Sequence, residues 1–330
     1  MSVCKFSVAA FTAAFTFVAG LVLPMAAQSQ SLALVSSEKD NALTIVSLKD
    51  LTVQGTIATC KRPRHMQITP DGKQLLVACG DDNAADVIDI ASRKSVGRIP
   101  LGEGPEAFDL SPDGKTLYVS NEDEAELTFI DVVNKKAFKE VKVGKEPEGV
   151  KVSRDGKTVY VTSEVAGMVH VIDTATARIV KNIQVGKRPR RMAITPDGAE
   201  LWVTNELGAS VTIISTKDLK IIGSVKFAVK GARAADITPV GITMSRDGKR
   251  AFVAMGRVNH VAFVDIAKRE VTQQVLVGKR AWNVALNRDE SQLLVVNGLS
   301  DDLTVIDIAS AKAIKTVPVG RVPYGVVVID

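Results

Sequence analysis

Short apolar runs separated by polar turns cover nearly the whole chain, and their length and spacing predict β-strands. From Glu103 the pattern reads EGPEAFDLSPDGKTLYVSNEDEAELTFIDVVNKKAFKEVKVG, four runs in one unit. Ala107 to Ser111 is the first strand, A. Pro112, Asp113 and Gly114 then supply a tight turn in which glycine takes positive φ, and Thr116 to Ser120 returns as strand B. A polar loop from Asn121 leads to strand C, Leu127 to Asp131, and a second short turn delivers strand D, which ends at Val143 and Gly144. Each unit is one antiparallel sheet.

The unit repeats. Pro63, Pro105, Pro147 and Pro189 recur every 42 residues, Pro239 follows after 50, and Ala281 and Pro323 resume the count. Asp71, Asp113, Asp155, Asp197, Asp247 and Asp289 keep the same spacing with the same eight-residue excess. A period of ~40 to 45 residues built from short strands is the signature of a β-propeller. A lone sheet of this kind leaves a face unburied, so successive units stack, and closing them into a ring protects the ends. Six full units fit between Pro63 and Gly320. Leu32 to Thr59 supplies strands B, C and D without A, and residues 321 to 330, RVPYGVVVID, supply an A without the rest. Joined, they make a seventh blade. The expectation is an all-β, seven-bladed propeller closed by pairing of the last strand with the first.

The first 27 residues depart from this pattern. Lys5 precedes an apolar run from Phe6 to Leu23, and small residues follow, which reads as a signal peptide cleaved between residues 26 and 31. The rival reading is an uncleaved anchor, because the run nearly spans a bilayer. With cleavage, residues 28–330 form one periplasmic or secreted propeller domain with no further membrane span. The net charge of +5 is modest and spread among 37 acids, which does not indicate nucleic-acid binding. Cys60 and Cys79 lie near one end of a predicted hairpin in an oxidising compartment, but spacing alone leaves open whether they pair.

The strand B endings YVSN (118 to 121), YVTS (160 to 163) and WVTN (202 to 205), with PDGK before and VID after, resemble the YVTN-type propeller repeat family along the whole mature chain. SEKDNALTIV, KEPEGV, NELGASVTII, PVGI, NGLSDDLTVID and RVPYGVVV further resemble the seven-repeat propeller associated with pyrroloquinoline quinone (PQQ)-dependent alcohol catabolism. That resemblance implies a companion of exported quinoprotein dehydrogenases and a transport system, and it brings no catalytic residues. The chain departs from the repeat at Cys60, where most units have glycine, and at Ala281.

Strand A lines the channel of a propeller, and function gathers on loops held by rigid sheets. The residue after each proline position, in ring order from blade one, is Tyr324, Arg64, Glu106, Glu148, Arg190, Val240 and Trp282. Two carboxylates thus lie side by side with an arginine at each end, opposite an aromatic and apolar arc. Arg62, His65, Arg188, Arg191 and Arg280 extend this mouth, and Glu122, Glu164 and Glu206 arrive from the B–C loops. One reading is an ion-pair ring that closes the channel. Another is a docking surface or a site for a small anionic or aromatic ligand at Arg64, Arg190, Trp282 and Tyr324. The eight-residue insertion within 226 to 237, KFAVKGARAADI, emerges on the same face and supports docking. A hard cation between Glu106 and Glu148, serving a metal-assisted lactonase, is a further reading that the flanking arginines oppose.

Other repeated polar residues have plainer roles. Asp89, Asp131, Asp173, Asp265 and Asp307 end strand C as turn residues, and His170 and His260 occupy ordinary strand positions. There is no CxxCH, GxSxG or GxxxxGK[ST] motif and no expected cofactor. The expectation is a non-catalytic accessory protein whose partner is a quinoprotein dehydrogenase, a cytochrome or a transport component.

Overall fold

Seven four-stranded antiparallel sheets form in the computed structural model, which describes residues 1–6 and 31–329. Apart from its first six residues, the expected leader lies outside the described residues, as does its cleavage point. Among the described residues no helix is long and apolar enough to cross a membrane.

The third blade shows how a unit is built. Its strands are Pro105–Leu110, Thr116–Asn121, Glu126–Asp131 and Lys136–Lys142, paired in sequence order. The inner strand starts earlier than its apolar run, at the proline itself. Proline is tolerated there because it opens an edge strand, where no partner needs its missing N–H. The ladder then shifts register between Pro105 and Ala107. Comparable bulges follow the proline of strand A in the other blades that carry one. The turn aspartates act as expected: Asp113 accepts from Ser111 Oγ at 2.6 Å and Lys115 N at 3.1 Å, and Asp131 accepts from Asn134 N at 2.8 Å.

The ring closes as the two incomplete ends of the sequence predict. Pro323–Ile329 pairs antiparallel with Leu32–Ser37, with Leu34 opposite Val327 and Val35 opposite Val326. The core lies between blades. Leu76 and Ala78 of the second blade pack with Phe108, Leu117 and Val119 of the third. Each buried side chain of this size contributes about 1.5–3 kcal/mol, so sheet-on-sheet burial holds the ring together.

Two devices join elements beyond apolar packing. The first is the hydroxyl in the third position of the YVTN-like endings. Ser120 Oγ accepts from Ala107 N of its own blade at 3.1 Å and donates to Glu148 O of the next blade at 2.8 Å. Ser36, Thr162 and Thr204 repeat the stitch to Arg64 O, Arg190 O and Val240 O at 2.8–2.9 Å. The second is a disulfide between Cys60 and Cys79, with Cα atoms 5.7 Å apart. In five of the other blades the same two positions hold glycine facing Asn or Ser, and in the sixth blade they hold Asp236 and Met255. A Cβ on Gly186 would meet Asn205 Cγ at 2.5 Å, and one on Gly320 would meet Ser37 Oγ at 2.3 Å. The second blade therefore replaces a close polar contact with a covalent one.

Candidate functional site

The residues that follow each proline converge at one end of the channel and interlock. Arg64 Nη1 donates to Glu106, and Arg64 Nε lies 3.5 Å from Glu38. Arg190 engages Glu148 at 3.3 Å and Glu164, which also takes Arg188 at 2.6 Å. Arg191 reaches Glu148 at 3.1 Å and donates to the Tyr324 hydroxyl, which in turn donates to Glu148 at 3.4 Å. The aromatic arc completes the closure. Arg64 lies over the Tyr324 ring at 4.4 Å, and Arg190 and Arg280 lie over Trp282 at 5.2 and 4.6 Å. Trp282 meets Tyr324 at 5.8 Å.

Burial defines this assembly. Arg64, Glu106, Glu148, Arg190, Arg191 and Tyr324 are each 8% exposed or less. They form a plug across the channel, and a ligand approaching Arg64 or Arg190 from this face has to displace existing ion pairs. Arg62 stands at the rim, 3.6 Å from both Glu38 and Asp81. Glu122 lies near Glu106. His65 faces the space beneath the plug and meets Phe108 edge-on at 4.8 Å.

Crowding of the acids sets their protonation. Burial, then repulsion from Glu148 and Glu122, pushes Glu106 up to about 8 in spite of Arg64. Burial acts to raise Glu148 as well, but Arg190, Arg191 and Arg64 outweigh it and hold Glu148 at about 2. Glu106 is thus the member of the pair that more readily holds a proton, and Glu148 the one that more readily gives it up. Burial and Glu148 also raise Glu164 to about 7, against Arg190 and Arg188. His65 is pushed down to about 3, first by burial and then by Arg191.

Several members of the channel escaped the sequence reading. Glu38 is one, although Glu38, Glu122, Glu164 and Glu206 share a single register of the B–C loops that would have revealed it. A second polar layer is another. Asp109 accepts from Gln67 Nε2 at 2.7 Å and Val152 N at 2.9 Å, and pairs with Lys151 at 2.9 Å.

The sequence profile of a seven-bladed propeller lactonase family matches residues 173–328, and that of the cytochrome D1 heme domain matches residues 106–188. The chain is a seven-bladed propeller related to both families. Similar solved structures share the fold at low identity. The periplasmic gluconolactonase of Pseudomonas aeruginosa is 20% identical, with a TM-score of 0.78 over 92% of this chain and 99% of that one. Hydrazine synthase of Kuenenia stuttgartiensis is 24% identical, with a TM-score of 0.76 over 84% and 92%. The dihydro-heme d1 dehydrogenase NirN is 16% identical, with a TM-score of 0.68 over 90% and 74%. No curated protein matches the sequence.

Among the described residues, the histidines and the Glu106–Glu148 pair are not arranged to hold a heme or a metal. His170 is held by Asn182 at 2.7 Å and Ser163 at 2.9 Å, and His260 by Val258 O at 2.5 Å. His65 faces a cavity of about 250 Å³, below the ~300–1,000 Å³ of sites for drug-sized ligands and too small for a tetrapyrrole. Among the described residues no group of three acids, histidines or cysteines is arranged to hold a metal ion, and the carboxylates of Glu106 and Glu148 are engaged by arginines.

Proposed function

We propose that this chain is an exported accessory propeller that docks an acidic protein partner on its plugged face, in quinoprotein-linked alcohol oxidation. The observation that carries the docking surface is a set of exposed apolar side chains on the B–C loops. Val165, Leu207 and Leu299 are 63, 52 and 65% exposed on the fourth, fifth and seventh blades. Lys187, Lys230, Arg233, Arg257 and Lys279 stand exposed among them. The insertion belongs to this arc. Phe227 and Ile237 are buried between the fifth and sixth blades and fix its two ends, while Lys230 and Arg233 remain outside. Apolar contacts inside a charged rim suit protein recognition, and the sealed channel beneath gives a rigid floor.

The pathway rests on the YVTN-like endings and the longer segments similar to PQQ-associated propellers. Export rests on the N-terminal run, and it agrees with the periplasmic location named for the Pseudomonas relative. The lactonase alternative draws on kinship alone. The test is interferometry of the mature protein against the purified quinoprotein alcohol dehydrogenase, its cytochrome and the transporter's binding component from the same periplasm. A triple variant, Leu207→Glu, Leu299→Glu and Arg233→Glu, should weaken the interaction at least tenfold with an unchanged melting temperature. Equal binding by both proteins, or none by either, would overturn the proposal.

A further inference from the structure

The channel is sealed at one end only. Beneath the plug lies the cavity of about 250 Å³, lined by His65, Phe108, Asp109, Lys151, Arg191 and Asn283 among others. It shares Lys151, Met192 and Ile242 with a cleft that leads to the opposite face, where the Pro-Asp-Gly turns lie. The charged side chains lining that cleft are Lys151, Arg154 and Arg246, of which Lys151 pairs with Asp109 and Arg246 with Glu290, each at 2.9 Å.

Arg64 Nε, Arg190 Nε and Trp282 Nε1 are buried without a hydrogen-bond partner, but Arg191 is the plug residue with two such nitrogens. It is 8% exposed, and its Nη2 is spent on Tyr324 and Glu148. Nε and Nη1 are buried with no hydrogen-bond partner. Buried polar groups are almost always satisfied, so two unmet donors on one cation ask for an acceptor. Glu148 divides between Arg190 and Arg191. Lys151 and Asp109 answer each other, with Asp109 further occupied by Gln67 and Val152. His65 on the same wall is kept neutral first by burial and then by Arg191 and Lys151, against Asp109 and Glu148.

We infer that this cavity binds a small aliphatic carboxylate, of the size of lactate, entering from the turn face. Its carboxylate accepts from Arg191, and its carbon chain lies against Phe108, Met192 and Val284, which line the same space. Asn283 supplies a second donor. Arg154 adds positive charge at the entrance, and the limited volume excludes larger ligands.

The chain has only three histidines, which makes His65 a clean reporter. Mature protein is titrated with lactate, acetate and succinate at constant pH and ionic strength while the imidazole resonances are followed. Lactate should shift the His65 resonances saturably and leave those of His170 and His260 in place. Arg191→Gln should weaken binding at least tenfold. Asn283→Leu, which fills the cavity without touching the plug's ion pairs, should do the same. Absence of a saturable shift in the unmodified protein with any of the three probes would mean that water alone meets Arg191 and would overturn the inference. So would unchanged affinity in both variants.

Discussion

Glu106 and Glu148 are adjacent in the ring yet are shifted in opposite directions, which makes the plug sensitive to pH on both sides. Glu106 and Glu164 are raised to about 8 and about 7. The stability they contribute is full below the ordinary carboxylate range and is lost as pH rises through 7 and 8. Glu148 is depressed to about 2, so its contribution is present above the ordinary range and is lost as pH falls toward 2. The melting temperature should therefore peak in mildly acidic solution and decline toward pH 9. Glu106→Gln keeps a neutral hydrogen-bond donor where the protonated acid stood and has no proton to lose. Its melting temperature should fall less steeply between pH 6 and 9 than that of the unmodified protein. Identical slopes from scanning calorimetry would show that Glu106 is not the group that titrates.

At the scale of the strand and turn, the second blade tests what the repeat requires at one structural position. Cys60 and Cys79 enclose a separation of 19 residues, and breaking such a link costs about 3 kcal/mol in the chain-entropy account. Cys60→Ala with Cys79→Ala should lower the melting temperature accordingly. Cys60→Gly with Cys79→Asn restores the pair found in other blades, and it should melt above the double alanine variant. If the two melt alike, the positions are not equivalent. The strand order and the seven blades were legible in the sequence because proline and Pro-Asp-Gly turns mark the same points in successive units, whereas the start of strand A was placed two residues late. The plug was legible only in outline. The bulge after the proline breaks the alternation of a regular strand, so Arg190 and Arg191 both become buried in the plug, whereas counting by twos sends one of them away. Asp109 and Lys151 were missed for a related reason, since the residue after the proline identifies only the first layer. Glu38 was missed because its half-blade has no preceding proline to count from.

Closure is a property of the whole ring, and it depends on the last seven-residue strand. A chain ending at Gly320 loses Pro323–Ile329 and leaves Leu32–Ser37, now fully buried, as an unpaired edge that invites pairing with another molecule. It should melt lower than the full chain and elute as larger species in size-exclusion chromatography. Unchanged melting and elution would contradict closure by strand pairing. The hydroxyl stitches are distributed unevenly around this ring. Ser36, Ser120, Thr162 and Thr204 each tie a blade to the next, and where the sixth blade has Ala254, Gly241 N bonds Trp282 O directly at 2.9 Å. Ala78 and Val296 hold the matching places in the second and seventh blades and have no hydroxyl to offer. Across those two seams the plug contributes Arg64 with Glu106 on one and Trp282 with Tyr324 on the other, beside Gln67 with Asp109 at 2.7 Å and Val322 N with Asp301 at 2.9 Å. The plug is thus also a pair of clasps, and any ligand that prised those residues apart would loosen the ring at the two seams that no hydroxyl stitches.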